Sequence, residues 1–431
     1  MNIILISLDS VRKDILYDNT TSLPNINNLT DNCLLFHNAI TQTPWTLPSH
    51  VSLFTGLYPF NHKIQRPDKN KIDPKIKTIF DILMDNKVTT YTFSNDIGTL
   101  KHIHKYGFRN NFKNVGTDTL RDIKPIIKTI KDDSFLFIHY WGTHLPYLTK
   151  VYPRNYRESI SNFLTWLKYT RGDKLRAMRF IPQQDGFNRT MQVVSMTVSM
   201  DEHSKQRVKE GYFRAIQVAD RFIGRITKLL KKRGIFEDTV FIILSDHGEG
   251  FNDNDELKET AYFTHGHFLY DYVINVPLII SSAKLFPGTK DIHGQVELID
   301  ILPTICDLFG IDSLDVDYTL DGSSIMKQIN HQKFKELGYS ETYFSFIPKQ
   351  CLRSNDFKYI KYLNADYEYF FDLLADSDEQ SNIITADRKE EFSKKLESFI
   401  RSNKQEFKDV FLEEEEADQI SRRLRNLGYE W

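Results

Sequence analysis

Residues 43 to 59, TPWTLPSHVSLFTGLYP, place a threonine hydroxyl two positions ahead of a proline and close an apolar run with glycine. Pro48 suits a first helical turn, where its missing N–H would have had no partner, and Gly56 suits a helix end. Thr46 is thereby expected at or near a helix N-terminus. Unpaired backbone N–H groups and the positive end of the helix dipole favour negative charge on an oxygen there. On this stretch alone the plain alternative is a capping threonine. Asp9 in SLDS, with Asp246 and His247 in SDHGEG, adds two carboxylates and an imidazole to the hydroxyl. That mixed oxygen and nitrogen set suits Zn²⁺, Mn²⁺ or a similar divalent ion. A hydroxyl bound to such an ion loses its proton more readily and becomes a nucleophile at neutral pH. SDHGEG alone is weak, since a strand followed by a glycine turn reads the same way; its force comes from joint occurrence with the Thr46 segment.

These residues need elements that bring them together. Five short apolar runs end abruptly in polar residues: NIILISLDS, TTYTFSND, SFLFIHYWGTH, TVFIILSDHGE and NVPLIISS. Continuous rather than alternating hydrophobicity is the pattern of strands buried on both faces of a parallel sheet. Amphipathic stretches alternate with them, KIKTIFDILMDN and GYFRAIQVADRFIGRITKLLKKRG among them, the latter closed by Gly234 after a basic last turn. A wound α/β sheet covered by helices follows. Ligands of such sheets collect at the carboxyl ends of the strands, where Asp9, Asn95, His144, Asp246 and His247 all stand. Residues 145 to 210, aromatic and basic and then without clear period, read as a cap inserted over those ends or as an extra surface helix pair.

Composition bounds the function. With 431 residues the chain buries a large core and accommodates one large α/β domain with an appendage, or two domains. A net charge of −2 offers no basic field, so nucleic acid is not an implied partner. The start MNIILISLDS has no basic region and its apolar run stops at Asp9, so neither a signal peptide nor a membrane partner is expected and a cytoplasmic enzyme is. Three cysteines, far apart and without CxxC spacing, argue against a disulfide framework or a thiolate metal site. Oligomeric state has no signature in the sequence.

Taken in order, the segments resemble the sulfatase branch of the alkaline phosphatase superfamily. That family's nucleophile signature is C/S-x-P-S/A-R followed by an apolar stretch and T-G, and this chain has TLPSHVSLFTG. LISLDSVRKD resembles the family's first strand, FLFIHYWGTHLPY its substrate-histidine segment and FIILSDHGE its metal strand, with THGHFLYDYVINVPLII and VELIDILPTICDLFGI following in the family's order. The resemblance implies an alkaline phosphatase-like α/β fold, a large mostly parallel sheet between helices with a smaller C-terminal α+β subdomain. Residues 1–330 would form the catalytic domain, carrying the insertion at 145–210, and residues 331–431 the subdomain that completes the fold.

Carried over residue by residue, the resemblance makes Thr46 the nucleophile, with Asp9, Asp246, His247 and Thr46 itself holding one divalent ion. His144 would contact the substrate's anionic group or its leaving oxygen, and His265 falls where sulfatases usually have a lysine with a similar job. His267 competes with His265 for that place, His50 replaces the family's arginine beside the nucleophile, and Asn95 is a further substrate-side candidate. Capping or surface roles are the alternative for His144 and His265, and turn chemistry for Asn95.

The chain departs from the family at several of these positions. Ser10 stands where the family has a second aspartate and His247 where it has asparagine, which shifts the expected ion from Ca²⁺ toward Zn²⁺ or Mn²⁺. Histidine for arginine at position 50 turns a fixed cation into a titratable one. Sulfatases oxidise Cys or Ser at the nucleophile position to an aldehyde, whose hydrate releases sulfate by elimination from carbon. Thr46 cannot become that aldehyde, whereas its alkoxide can attack phosphorus and leave a phosphothreonine. The leading expectation is therefore a metal-dependent hydrolase, or transferase, of phosphate monoesters, phosphodiesters or phosphonates. Sulfuric ester hydrolysis, with Thr46 as direct nucleophile, is the principal alternative; a catalytically silent anion-binding relative is the third. The expected partner is a small anionic ester, glycan- or nucleotide-linked forms included.

Overall fold

The computed structural model describes the chain apart from residues 19–20, 95–99, 109–112, 115–118, 146, 148–201, 252–261, 313, 345–347 and 426–431. Asn95 and residues 146 and 148–201 of the expected cap at 145–210 lie outside the described residues, and residues 202–210 open the long helix Glu202–Arg233.

A nine-stranded sheet forms the centre. Its strands in chain order are β1 (Asn2–Leu8), β2 (Cys33–Ile40), β3 (Thr89–Ser94), β4 (Lys113–Asn114), β5 (Ser134–Tyr140), β6 (Thr239–Ser245), β7 (Asn275–Ser281), β8 (Lys290–Ile292) and β9 (Val296–Glu297). They lie side by side as β8-β2-β7-β6-β1-β5-β3-β4, with β9 also pairing β2. All five apolar runs are strands of this sheet. In β1, β5 and β6 every residue is buried. Ile3, Leu5, Phe135, Phe137, Val240 and Ile242 pack on one face, and Ile4, Ile6, Leu136, Ile138, Phe241 and Ile243 on the other. Both faces are covered, so period-two alternation disappears from the sequence.

Strand direction is a separate matter. β1 runs parallel to β5 and β6, and β3 parallel to β5, but β7 is antiparallel to both β6 and β2. Its continuous hydrophobicity reflects burial on two faces and does not encode direction. The sheet is mostly parallel, and the carboxyl ends of β1, β5 and β6 emerge together along one edge.

Two helices matter most for that edge. Helix α1 (Thr46–Thr55) sends Leu47, Val51 and Phe54 into the core on one face. Helix α2 (Glu202–Arg233) covers the opposite face with Tyr212, Ile216, Ala219, Ile223 and Ile226, spaced three and four apart as one helical stripe requires. C-terminally, a separate four-stranded antiparallel sheet runs in order through Gly338–Thr342, Lys349–Arg353, Phe357–Tyr362 and Glu368–Asp372. Among the described residues, no helix is long and apolar enough to cross a membrane.

Candidate active site

Thr46 is the first residue of α1, and the cap position belongs to Trp45 in extended conformation, with no side-chain cap bond. The hydroxyl is thus not spent on capping. It points at the strand ends: Thr46 Oγ1 lies 3.3 Å from His247 Nε2 and 3.5 Å from Asp9 Oδ2. Gly56 ends the helix in the left-handed region at φ 66°, donating its N–H to Ser52 O. Ser49 anchors the first turn by donating to the Asp246 carbonyl at 2.8 Å.

Asp9 follows β1, and Asp246 and His247 follow the adjacent parallel strand β6. Each offers a ligand atom, and these atoms lie within 4.8 Å of one another. Ser10, at φ 59°, ties the two strand ends: its N–H donates to Asp246 Oδ1 at 3.2 Å and its hydroxyl to Asp9 Oδ1 at 2.7 Å. Gly248 is required behind His247, because a Cβ there would stand 2.0 Å from the Tyr272 carbonyl oxygen.

The donor chemistry fits a divalent cation. His247 Nδ1 lies 2.9 Å from the Gly248 carbonyl, which can only accept, so Nδ1 carries the hydrogen and Nε2 presents a lone pair toward both carboxylates, 3.6 Å away. Asp246 Oδ2 is buried without a hydrogen-bond partner. Burial opposes charge on Asp9, yet the imidazoles of His144, His139 and His247 hold its carboxyl well below the usual value. Asp246 is pushed well above the usual value by burial and then by the Asp9 charge. Two fully buried carboxylates this close cannot both ionise comfortably without a cation between them.

Further histidines and a glutamate lie around this centre. His144, beyond β5, donates from Nδ1 to the Leu145 carbonyl at 2.6 Å and stacks on Trp141 with ring centroids 5.2 Å apart. His265 packs against His247 at 4.3 Å and against His144 at 4.9 Å between centroids. Its Nδ1 lies 3.1 Å from Oε1 of the fully buried Glu249. Burial lowers the His265 pKa to about 3, whereas burial raises that of Glu249 to about 8. His267 stands farther out, edge-on to Phe344, and burial with the nearby Lys349 charge lowers its pKa to about 4. Of the two competing histidines, the structure brings His265 to the centre.

His50 departs from its expected place as a titratable cation facing substrate. It lies within α1 and is fully buried against the sheet. Its Nδ1 donates to the Thr46 carbonyl at 2.8 Å and its Nε2 accepts from the Ser7 hydroxyl at 3.0 Å. Burial, then the neighbouring His139, keeps it neutral. His50, His139 and Asp246 form a second cluster of ligand-type atoms, but the hydrogen on His50 Nδ1, the nitrogen 3.6 Å from Asp246 Oδ2, leaves that atom no lone pair for an ion.

Two further residues belong to this site. His139, in β5, puts Nε2 3.2 Å from Asp9 Oδ2, and Glu249 supports His265. A histidine inside the otherwise apolar FLFIHY run was the available signal for the first. The second was visible as the glutamate of SDHGEG.

Comparison with known proteins gives the same frame. The family model for sulfatases matches residues 1–311, and that for the C-terminal part of N-sulphoglucosamine sulphohydrolase matches residues 259–406. The chain belongs to the sulfatase family, with its alkaline phosphatase-like fold, and is a hydrolase of sulfate or phosphate esters. It is 24% identical to arylsulfatase K of Xenopus laevis over 93% of this chain and 82% of that one. Identity to choline-sulfatase of Rhizobium meliloti is 29%, over 42% of this chain and 34% of that one. Among solved structures, a 2-O GAG sulfatase superposes with a TM-score of 0.70 at 16% identity, covering 93% of this chain and 92% of that one. Phosphonate monoester hydrolase of Agrobacterium radiobacter does so with 0.68 at 17% identity, covering 93% and 96%. The family generally binds a divalent metal.

Proposed function

We propose that this protein hydrolyses a small sulfuric ester, with Thr46 as the nucleophile. The observation that carries this reading is the position of Thr46 Oγ1: first residue of α1, free of capping duty, and within 3.3 Å of His247 Nε2 and 3.5 Å of Asp9 Oδ2. Sulfate is preferred over the phosphate chemistry that Thr46 alone suggested because the similar proteins named above are predominantly sulfatases of aryl, choline and glycosaminoglycan esters. Asp9, Asp246, His247 and Thr46 would hold one divalent ion, Zn²⁺ or Mn²⁺ by donor type, which when bound lowers the pKa of the hydroxyl and offsets the negative charge of the ester.

The protein's own groups supply the rest. The α1 N-terminus stabilises negative charge on the Thr46 oxygen, whose hydroxyl donates toward Asp9 Oδ2 at 3.5 Å, and its proton passes on to solvent, from which His144 is reprotonated. The oxygen attacks sulfur, the bond from sulfur to the leaving oxygen breaks, and His144 donates a proton to that oxygen; water then attacks the sulfur of the Thr46 ester, the bond from sulfur to Thr46 Oγ1 breaks, that oxygen takes one proton of the water and hydrogen sulfate leaves. His267 and Asn95 are retained as substrate-side candidates. The test is a panel of aryl sulfate, phosphate monoester, phosphodiester and phosphonate substrates with purified, ion-loaded wild type and Thr46→Ala. Fastest turnover of the sulfate ester, lost in the variant, is expected. Turnover restricted to phosphorus esters returns the phosphothreonine reading, and an active Thr46→Ala ends the nucleophile assignment.

A further inference from the structure

Between the central sheet and the C-terminal sheet lies a cleft of about 660 Å³ whose walls include none of Asp9, Thr46, His144, Asp246, His247 or His265. Distant parts of the chain build it: Lys13 follows β1, Asn38 stands on β2, Arg353 ends the second C-terminal strand with Asn355 just beyond, and Ser377 follows the last strand.

Most of the charge in this cleft is committed. Arg12 holds Asp14 through Nε and Nη2, and Arg353 holds Asp271 through the same two atoms. Lys358, fully buried behind them, pairs with both Asp271 and Glu379. Lys13 is the exception. Its ammonium donates to the His37 carbonyl at 2.7 Å and, among the described residues, enters no ion pair. Burial lowers its pKa below the usual lysine value; the nearby charges of Asp271 and Asp14, opposed by those of Arg353 and Lys358, do not restore it. A partly buried ammonium left short of negative charge stabilises an anion beside it.

Size and lining define the rest of the ligand. A bare oxyanion fills only a small part of 660 Å³, a volume in the range that holds a small organic molecule. The side chains of Asn355, Ser377 and Gln380 line the cleft with amides and a hydroxyl, groups that both donate and accept and so suit ligand hydroxyls. We propose that this cleft binds a small hydroxylated acid, its acidic group on Lys13 and its hydroxyls against Asn355, Ser377 and Gln380. Asp378, on the exposed rim, repels the acidic end and so favours entry with that end inward. The site stands apart from Thr46 and does not depend on its role.

Isothermal titration of ion-loaded protein with sodium glucuronate, glucose and sodium sulfate, at matched ionic strength, tests this. Glucuronate is expected to bind with a Kd at or below about 1 mM, at least roughly tenfold tighter than glucose or inorganic sulfate. Lys13→Gln keeps a donor for the His37 carbonyl and removes the charge; it should weaken glucuronate roughly tenfold or more. Asn355→Leu, at an exposed position, should weaken it several-fold, and melting temperatures report whether each variant is folded. Affinity should survive chelation of the ion, since none of the ion-holding residues lines the cleft. Absence of binding overturns the proposal, as does glucose or inorganic sulfate binding as tightly as glucuronate. Unchanged affinity in either folded variant overturns it too. Loss of binding on chelation, with the protein still folded, places the acid at the ion and equally overturns it. If Lys13→Gln does not fold, Asn355→Leu alone decides.

Discussion

The Oγ1 of Thr46 and the Nε2 of His247 stand 3.3 Å apart, although one begins a helix and the other follows a strand. Because Trp45 holds the cap position, removing the hydroxyl should leave the helix start intact. Thr46→Ala is expected to lower turnover by roughly 10⁴-fold or more, the scale of nucleophile removal, while costing only about 1 kcal/mol of stability. Thr46→Ser keeps the hydroxyl and should retain a measurable fraction of the rate. Initial rates with an aryl sulfate, beside melting curves, check both; equal activity of the Ala and Ser variants contradicts the assignment.

The carboxyl pair predicts how ion binding responds to pH. Burial and then the Asp9 charge hold the Asp246 carboxyl well above its usual 3.8. In ion-free protein its contribution to stability is full below about that usual value and is lost as pH rises through the raised folded value. A bound cation takes the place of the proton, so binding releases a proton and tightens with pH. His247, His50 and His265 are neutral in both states over most of this range and largely cancel in the difference. The melting temperature gained on adding Zn²⁺ or Mn²⁺ to chelated protein should therefore grow from pH 5 to pH 8, with saturation at a hundred times Kd worth about 2.7 kcal/mol. Asp246→Asn should remove most of the gain. A gain that shrinks with pH, or survives in that variant, would place the ion elsewhere.

What the sequence made legible was local. Runs such as NIILISL, buried on both faces, announce themselves through unbroken hydrophobicity, and Pro48 and Gly56 bracket helix α1 through backbone chemistry. Asp9, Asp246 and His247 were readable because strand ends of a wound sheet converge. The direction of β7 was not, since burial on two faces is the same for either direction. Nor was the inward turn of His50, which depends on Ser7 lying across from it on β1. His139 becomes a neighbour of Asp9 only through the parallel register that sets it beside Ser7. Choosing His265 over His267 required knowing which ring meets Glu249 and His247.

His50, itself on α1, ties that helix to the sheet, bonding Ser7 on β1 and, one turn back, the Thr46 carbonyl. His50→Ala removes both bonds and leaves a buried void, so a loss of roughly 2–4 kcal/mol is expected. With the first turn of α1 loosened, kcat should fall roughly 10- to 10²-fold while KM for an aryl sulfate stays within about twofold. A raised KM with unchanged melting temperature would instead give His50 the substrate-facing role its sequence position suggested.

His144 can act on the leaving oxygen or on the anionic group, and substrates of different leaving-group quality tell these apart. Its Nδ1 is committed to the Leu145 carbonyl at 2.6 Å and its ring is stacked on Trp141, so Nε2 is the nitrogen left to serve a proton transfer. An alkyl or sugar alkoxide leaves poorly without a proton, whereas a nitrophenolate leaves readily. If His144 supplies that proton, His144→Ala should slow an alkyl sulfate by roughly 10²- to 10⁴-fold and 4-nitrophenyl sulfate far less. The steeper dependence of rate on leaving-group pKa in the variant, measured across a series of aryl sulfates, is the quantitative form of the same test. An equal loss for good and poor leaving groups, accompanied by a raised KM, would assign His144 to holding the non-bridging oxygens. Proton donation to the leaving oxygen would then have to come from elsewhere in the site.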